Sequence, residues 1–246
     1  MALYNFTRNI QLNWNILKSF LYIIPLLAIQ SCNDSTTDPI NTYDYFPLTV
    51  GHYMIYDVNE AVYSSGQANP VIKAYQEKDE ISSVTVNTDG SSTYIVSRSS
   101  RNTSADYWVK TKKYSINQFP DKLIFNIDNQ STVPLVFPID SKITWNGNMY
   151  NTLDAEDYHY EEINQPSTLG SLSFDKTLTL VEIRDTTSVI DYNLGLKRFA
   201  IGVGLIYDEQ TSYEYCQATA ACIGQGIIDS GSKKTRKIIE YGPKSL

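Results

Sequence analysis

From Tyr45 to the C-terminus no stretch holds a 3.6-residue apolar period for three turns, so this chain offers no amphipathic helix around which to build a core. It offers short aromatic and β-branched runs separated by turn residues. His52 to Val58 follows Gly51 and reads as a strand. Short strands are predicted at 71–76 and 81–87, and Asp89-Gly90 marks a hairpin from which Tyr94 to Ser97 returns. After a turn at Asn102-Thr103-Ser104, the run Tyr107 to Thr111 alternates with period two. Leu123 to Ile127 is a further strand. Pro134 and Pro138 flank Leu135-Val136-Phe137, which places that run at a sheet edge or in an extended connection, because proline cannot donate to a ladder. Trp145 to Asn148 reads as a turn. Strand-like runs resume at 150–162, 172–183, 189–193, 196–199, 203–216 and 234–241. Strands spaced about 8–12 residues apart predict an all-β, mainly antiparallel fold. The long meander has few Greek-key crossings, which favours a curved sheet, barrel or half-barrel over a sandwich.

The N-terminus has a different character. Arg8 and Lys18 are its only charges before Cys32, and Phe20 to Ile29 is an uncharged apolar run. That is the pattern of a secretory signal. A membrane-crossing helix needs about 20 apolar residues; this run is shorter and Pro25 interrupts it. Ala28-Ile29-Gln30-Ser31-Cys32 resembles a lipobox, the cleavage signal of bacterial lipoproteins, with Gln30 where a small residue is usual. The resemblance implies cleavage after Ser31 and lipidation of Cys32. The expected organisation is therefore a signal peptide over 1–31, a lipidated cysteine and flexible tether over 32–44, and a single β domain over 45–246. The tether rests on the small, polar stretch 33–42.

Removing residues 1–31 takes Arg8 and Lys18, leaving 18 basic residues against 27 acids and a net charge near −9. Such a chain does not attract phosphate backbones, so nucleic acid is not an expected partner. The 19 tyrosines suit strands, and those at the surface suit a glycan or protein ligand. Besides Cys32 there are Cys216 and Cys222, in CQATAAC. In an oxidising compartment they are expected to form a disulfide; the alternative is a redox or metal pair, although the spacing is not Cys-x-x-Cys.

Four segments carry a family resemblance. Tyr45 to Val58 (YFPLTVGHYMIYDV) is similar to an opening "YFPL-x-VG-x-x-W-x-Y", with Met54 in place of tryptophan. Pro138 to Gly147 fits "FP-x-x-x-G-x-x-W-x-G", with Ser141 or Lys142 where glycine is common. Phe199 to Tyr215 is similar to "YA-x-GVGLIY", and Gly231 to Gly242 to a closing "G-x-x-x-x-x-x-I-x-x-YG". Together they resemble a family of uncharacterised Bacteroidetes outer-membrane lipoproteins. That resemblance implies membrane attachment through Cys32 and a cell-envelope location, and it brings no assigned chemistry. Surface export in that phylum is associated with acids just after the lipidated cysteine. Asn33-Asp34 fits this poorly, which favours the periplasmic face. Asp34-Ser35-Thr36 and Asp185-Thr186-Thr187 resemble that phylum's O-glycosylation acceptor.

For catalysis or metal binding the densest polar run is Asp154 to Glu162. On a strand, Asp157, His159 and Glu161 would share one face as weak candidate metal ligands; the plainer reading is an exposed charged strand. There is no Gly-x-Ser-x-Gly elbow, and Gly202-Val203-Gly204 lacks the third glycine of a dinucleotide fingerprint, so it reads as a strand bend or close backbone approach. No cofactor and no catalytic residue are expected. The leading expectation is a non-enzymatic envelope lipoprotein that binds a glycan, lipid or protein. A lipid- or lipoprotein-handling half-barrel is the alternative, and a hydrolase using 154–162 the second alternative.

Overall fold

Alternation along each strand sends successive side chains to opposite faces, and here one face carries the apolar core. A computed structural model of the chain describes residues 41–243. Residues 41–243 form a compact unit with their own core. A 3-10 turn at Thr42–Tyr45 leads into twelve strands: β1 (Tyr53–Tyr63), β2 (Val71–Val86), β3 (Ser92–Arg101), β4 (Val109–Gln118), β5 (Lys122–Ile127), β6 (Gln130–Val136), β7 (Thr144–Asn146), β8 (Asp157–Leu169), β9 (Leu172–Asp185), β10 (Asp191–Ala200), β11 (Gly204–Tyr215) and β12 (Ile228–Gly242). They form one antiparallel sheet in the order β6-β5-β4-β3-β2-β1-β12-β11-β10-β9-β8-β7. Every neighbour except the β1–β12 pair is consecutive in sequence, so the fold is an up-and-down meander, as the spacing predicts.

The two edges, β6 and β7–β8, meet and nearly close a barrel. Pro134 leaves β6 without a ladder donor, and β7 is only three residues long. Side chains do most of the closing. The Tyr160 hydroxyl accepts from the Val136 amide at 2.8 Å and donates to the Val136 carbonyl at 3.0 Å. Trp145 Nε1 donates to the Val133 carbonyl at 2.7 Å, and the Val133 amide donates to the Gly147 carbonyl at 2.9 Å. The edge role expected for the Pro134–Pro138 segment is the one observed.

The lower end, where the described chain begins, is plugged. Tyr45 and Phe46 are buried, and the Phe46 ring packs edge-on against Phe125 and Phe199. The Tyr45 hydroxyl donates to Asn164 Oδ1 at 2.8 Å. Tyr43 packs on Phe137, and the Asp44 carbonyl accepts from the Gly202 amide. His52, buried, hydrogen-bonds the Val203 carbonyl through Nε2 at 2.9 Å and so ties the opening turn to the β10–β11 turn. Gly204 is needed there. It sits at φ +100°, and a Cβ would come within 3.0 Å of Met54 Sδ. Gly202-Val203-Gly204 thus makes the close approach anticipated for it.

Several boundaries differ from the expectation: Trp145 and Asn146 belong to β7 and not to a turn, and β12 begins at Ile228 and not at 234. The strands expected at 71–76 and 81–87 are one strand, because Gln76 to Glu80 does not break it: Glu77 and Asp79 point inward and are buried. Likewise 189–193 and 196–199 are one strand running through Gly195, which lies close against Glu182 of β9. Residues 150–156 are a loop and not the start of a strand. Asn146 Oδ1 accepts from the amides of Asn148 and Glu156, and Asn148 Nδ2 donates to the Asp154 carbonyl, so asparagine side chains outcompete the ladder. Tyr107, 94% exposed, precedes β4 and does not belong to it.

Candidate functional site

A closed β-barrel must fill its interior or leave a cavity. In the lower half the inward positions are apolar, from Tyr56, Ile81, Ile116, Leu178 and Leu180 to Ile206 and Ile238. Half-way up, the same inward face turns ionic. On β2 the inward series is Glu77, Asp79, Ile81; on β3 Val96, Arg98; on β12 Lys234, Arg236, Ile238. Lys197 of β10, Asp208 and Gln210 of β11 and Glu182 of β9 continue the ring. Four acids (Glu77, Asp79, Glu182, Asp208) face four bases (Arg98, Lys197, Lys234, Arg236), so the collar is charge-balanced.

Asp79 is its hub. Arg98 grips it as a fork, Nε to Oδ1 and Nη2 to Oδ2, both at 2.7 Å, and Arg236 Nη2 reaches Oδ2 at 2.7 Å. Burial pushes the Asp79 carboxyl up, but the Arg98 and Arg236 guanidiniums outweigh it and hold the group well below the usual carboxylate range. Arg236 also lies over the Tyr56 ring, 4.1 Å from its centroid. Burial, helped by Asp79, lifts the Tyr114 hydroxyl far above its ordinary value. On the opposite wall Lys197 pairs with Glu182, and Gln210 donates to Glu182 at 2.7 Å and to Asp208 at 3.0 Å.

Not every donor is used. Arg98 makes its hydrogen bonds through Nε and Nη2, and its Nη1 lies 3.7 Å from Glu77. Arg236 Nε approaches Glu77 Oε2 at 2.9 Å but is misaligned, so neither atom has a hydrogen-bond partner among the described residues. Arg236 Nη1 is 4.0 Å from Asp208, and Lys234 Nζ is 3.9 Å from Glu77.

Between collar and plug lies a cavity of about 230 Å³. Its floor is Phe46, Met54, Phe125, Phe199 and Leu205; its upper wall is Asp79, Arg98, Lys197, Asp208, Lys234 and Arg236. An apolar compartment capped by fixed charges is the usual form of a small-molecule site. The outer face of the barrel has the opposite character. Lys78–Glu80, Lys233–Glu209 and Arg198–Glu162 are ion pairs at outward positions, where a membrane-spanning barrel carries apolar residues.

The residues singled out in the sequence fall elsewhere. Cys32 lies outside the described residues. Cys216 and Cys222 are joined as a disulfide, with Cα atoms 5.7 Å apart, in the β11–β12 loop at the upper end. Asp157, His159 and Glu161 share the outward face of β8. Glu161 is forked by Arg184 at 2.8 Å and 2.8 Å, which lowers its pKa, and His159 Nε2 is 3.4 Å from it. Among the described residues no group of three or more His, Cys, Asp or Glu is placed to hold a metal ion. The collar was not singled out. Its signal is a charged residue in phase with the apolar face of its own strand, as in Glu77-x-Asp79-x-Ile81 and Lys234-x-Arg236-x-Ile238.

No protein-family model matches the chain, and no curated protein matches it. Among solved structures it is similar to a "putative lipoprotein" from Parabacteroides distasonis, at 10% identity and a TM-score of 0.39 over 80% of this chain and 98% of that one. A likeness at that level is too loose to carry a function across.

Proposed function

We propose that the protein is a lipid-anchored envelope protein of the outer membrane whose barrel, on the periplasmic side, binds a small ligand in its interior and does not transform it. The observation that carries this reading is the cavity with an apolar floor and a charged upper wall. The anchor rests on the lipobox-like run ending at Cys32. Binding without turnover is supported by the state of the groups at the cavity. A general acid or base works best with a pKa near the operating pH. Here Asp79 is held ionised, Tyr56 and Tyr114 are held neutral, and both histidines of the chain lie away from the cavity lining. Size argues against a diacyl lipid. A cavity of about 150 Å³ holds one benzene, and this one is only about half as large again.

The test uses toluene as a neutral guest and the soluble barrel, residues 33–246. Toluene is expected to raise Tm in a saturable way, by about 2–4 °C. Thr132→Phe adds a ring at a half-buried position on the cavity wall, and that rise should vanish in the variant. An unchanged Tm in the wild type, or an equal rise in the variant, removes the cavity as the binding site.

A further inference from the structure

The polarity of the cavity wall selects among ligands. This rests on the cavity being the binding site, and goes further by assigning the ligand's charge. Of the ionic side chains that line the cavity, four are bases (Arg98, Lys197, Lys234, Arg236) and two are acids (Asp79, Asp208). The balancing carboxylates, Glu77 and Glu182, stand behind the wall. Lys197 is occupied by Glu182. Asp79 is saturated, since both its oxygens accept from guanidiniums. Asp208 Oδ1 already accepts from Gln210. Donor capacity is the larger remainder: Arg98 Nη1 lies 3.7 Å and Lys234 Nζ 3.9 Å from Glu77, and Arg236 Nη1 lies 4.0 Å from Asp208 Oδ2, the one lining carboxylate oxygen without a hydrogen bond among the described residues. Arg236 is nine-tenths buried, and its Nε, although 2.9 Å from Glu77 Oε2, is misaligned with it and makes no hydrogen bond. Buried donors without acceptors are costly, and an anion that supplies the acceptors recovers that cost.

We propose that the barrel binds a small amphiphile with a single acid group, its acid held by Arg98, Arg236 and Lys234 and its apolar body resting on Phe46, Met54, Phe125, Phe199 and Leu205. Lys234 is the member of the set that can be altered without touching the Asp79 hub. Its side chain is one-third exposed, and the carboxylate it approaches is Glu77 and not Asp79.

The probes are hexanoate, 1-hexanol and hexylamine, which share a chain and differ in head group. Their dissociation constants for the soluble barrel, residues 33–246, are measured at pH 7 by titration calorimetry or by the rise in Tm. Hexanoate is expected to bind about tenfold more tightly than hexanol, and hexylamine more weakly than either. Lys234→Met should weaken hexanoate about tenfold and hexanol by much less, and Lys234→Arg should restore hexanoate binding. If hexanol equals hexanoate, or hexylamine is tightest, the acid assignment is overturned while the cavity remains a ligand site. If all three fail and toluene binds, the acid assignment is again overturned. If toluene fails as well, the underlying reading falls with it.

Discussion

Asp79→Asn should destabilise the barrel by about 3–5 kcal/mol at pH 7, the cost of removing one partner from a buried ion pair. The variant keeps the volume and removes the charge. Arg98 and Arg236, both buried, would then face each other across a neutral amide. The effect has a defined pH dependence. The folded pKa of Asp79 is depressed, so its contribution is fully present above the unfolded-state value of about 3.9 and is lost as pH falls through the lower folded value. The gap between wild type and variant should therefore be constant from pH 7 to about pH 5 and narrow only in stronger acid. Urea midpoints across that range measure it. Lys78→Ala is the contrast: the Lys78–Glu80 pair lies at the surface, and its loss should cost no more than about 1 kcal/mol. A loss below about 1 kcal/mol for Asp79→Asn would mean that the collar is not a cooperative structural unit.

This collar is also where sequence reasoning stops short. The meander is legible because alternation, Asp89-Gly90 and the paired prolines each act locally, within a few residues. The role of Asp79 is not local. Its partners lie 19 and 157 residues away, so Gln76 to Glu80 looks like a polar break until Arg98 and Arg236 are placed opposite it. The same holds for the seam, where the hydroxyl of Tyr160 replaces part of a ladder that Pro134 cannot support. The acidic run at 154–162, prominent along the chain, becomes the end of a loop and the start of β8, on whose outer face Arg184 answers Glu161. Cysteine chemistry is legible in part: compartment and count make a Cys216–Cys222 pair the expectation over a redox or metal pair, and the structure joins them.

Replacing Cys32 by alanine should abolish lipid attachment entirely. The thiol is the only proposed acceptor for the diacyl group, and two or more acyl chains are what separate stable anchoring from marginal, reversible binding, since each buried CH₂ contributes about 0.8 kcal/mol. Cells fed an alkyne-tagged fatty acid should label the wild type, while Cys32→Ala should carry no label and accumulate with residues 1–31 uncut. Label retained in the variant, or absent from the wild type, would refute the anchor. Protease added to intact cells should leave the wild type uncut and cleave it only after the outer membrane is opened. Cleavage in intact cells would put the barrel on the outer surface.

The most direct test of an interior binding site uses the two methionines of residues 33–246. Met54 forms part of the cavity floor, and Met149 is exposed in the β7–β8 loop. With ¹³C-methyl methionine in the soluble barrel, toluene should shift the Met54 methyl resonance in a saturable titration and leave Met149 in place. A shift confined to Met149, or no shift at either methyl, would contradict an accessible cavity inside this barrel.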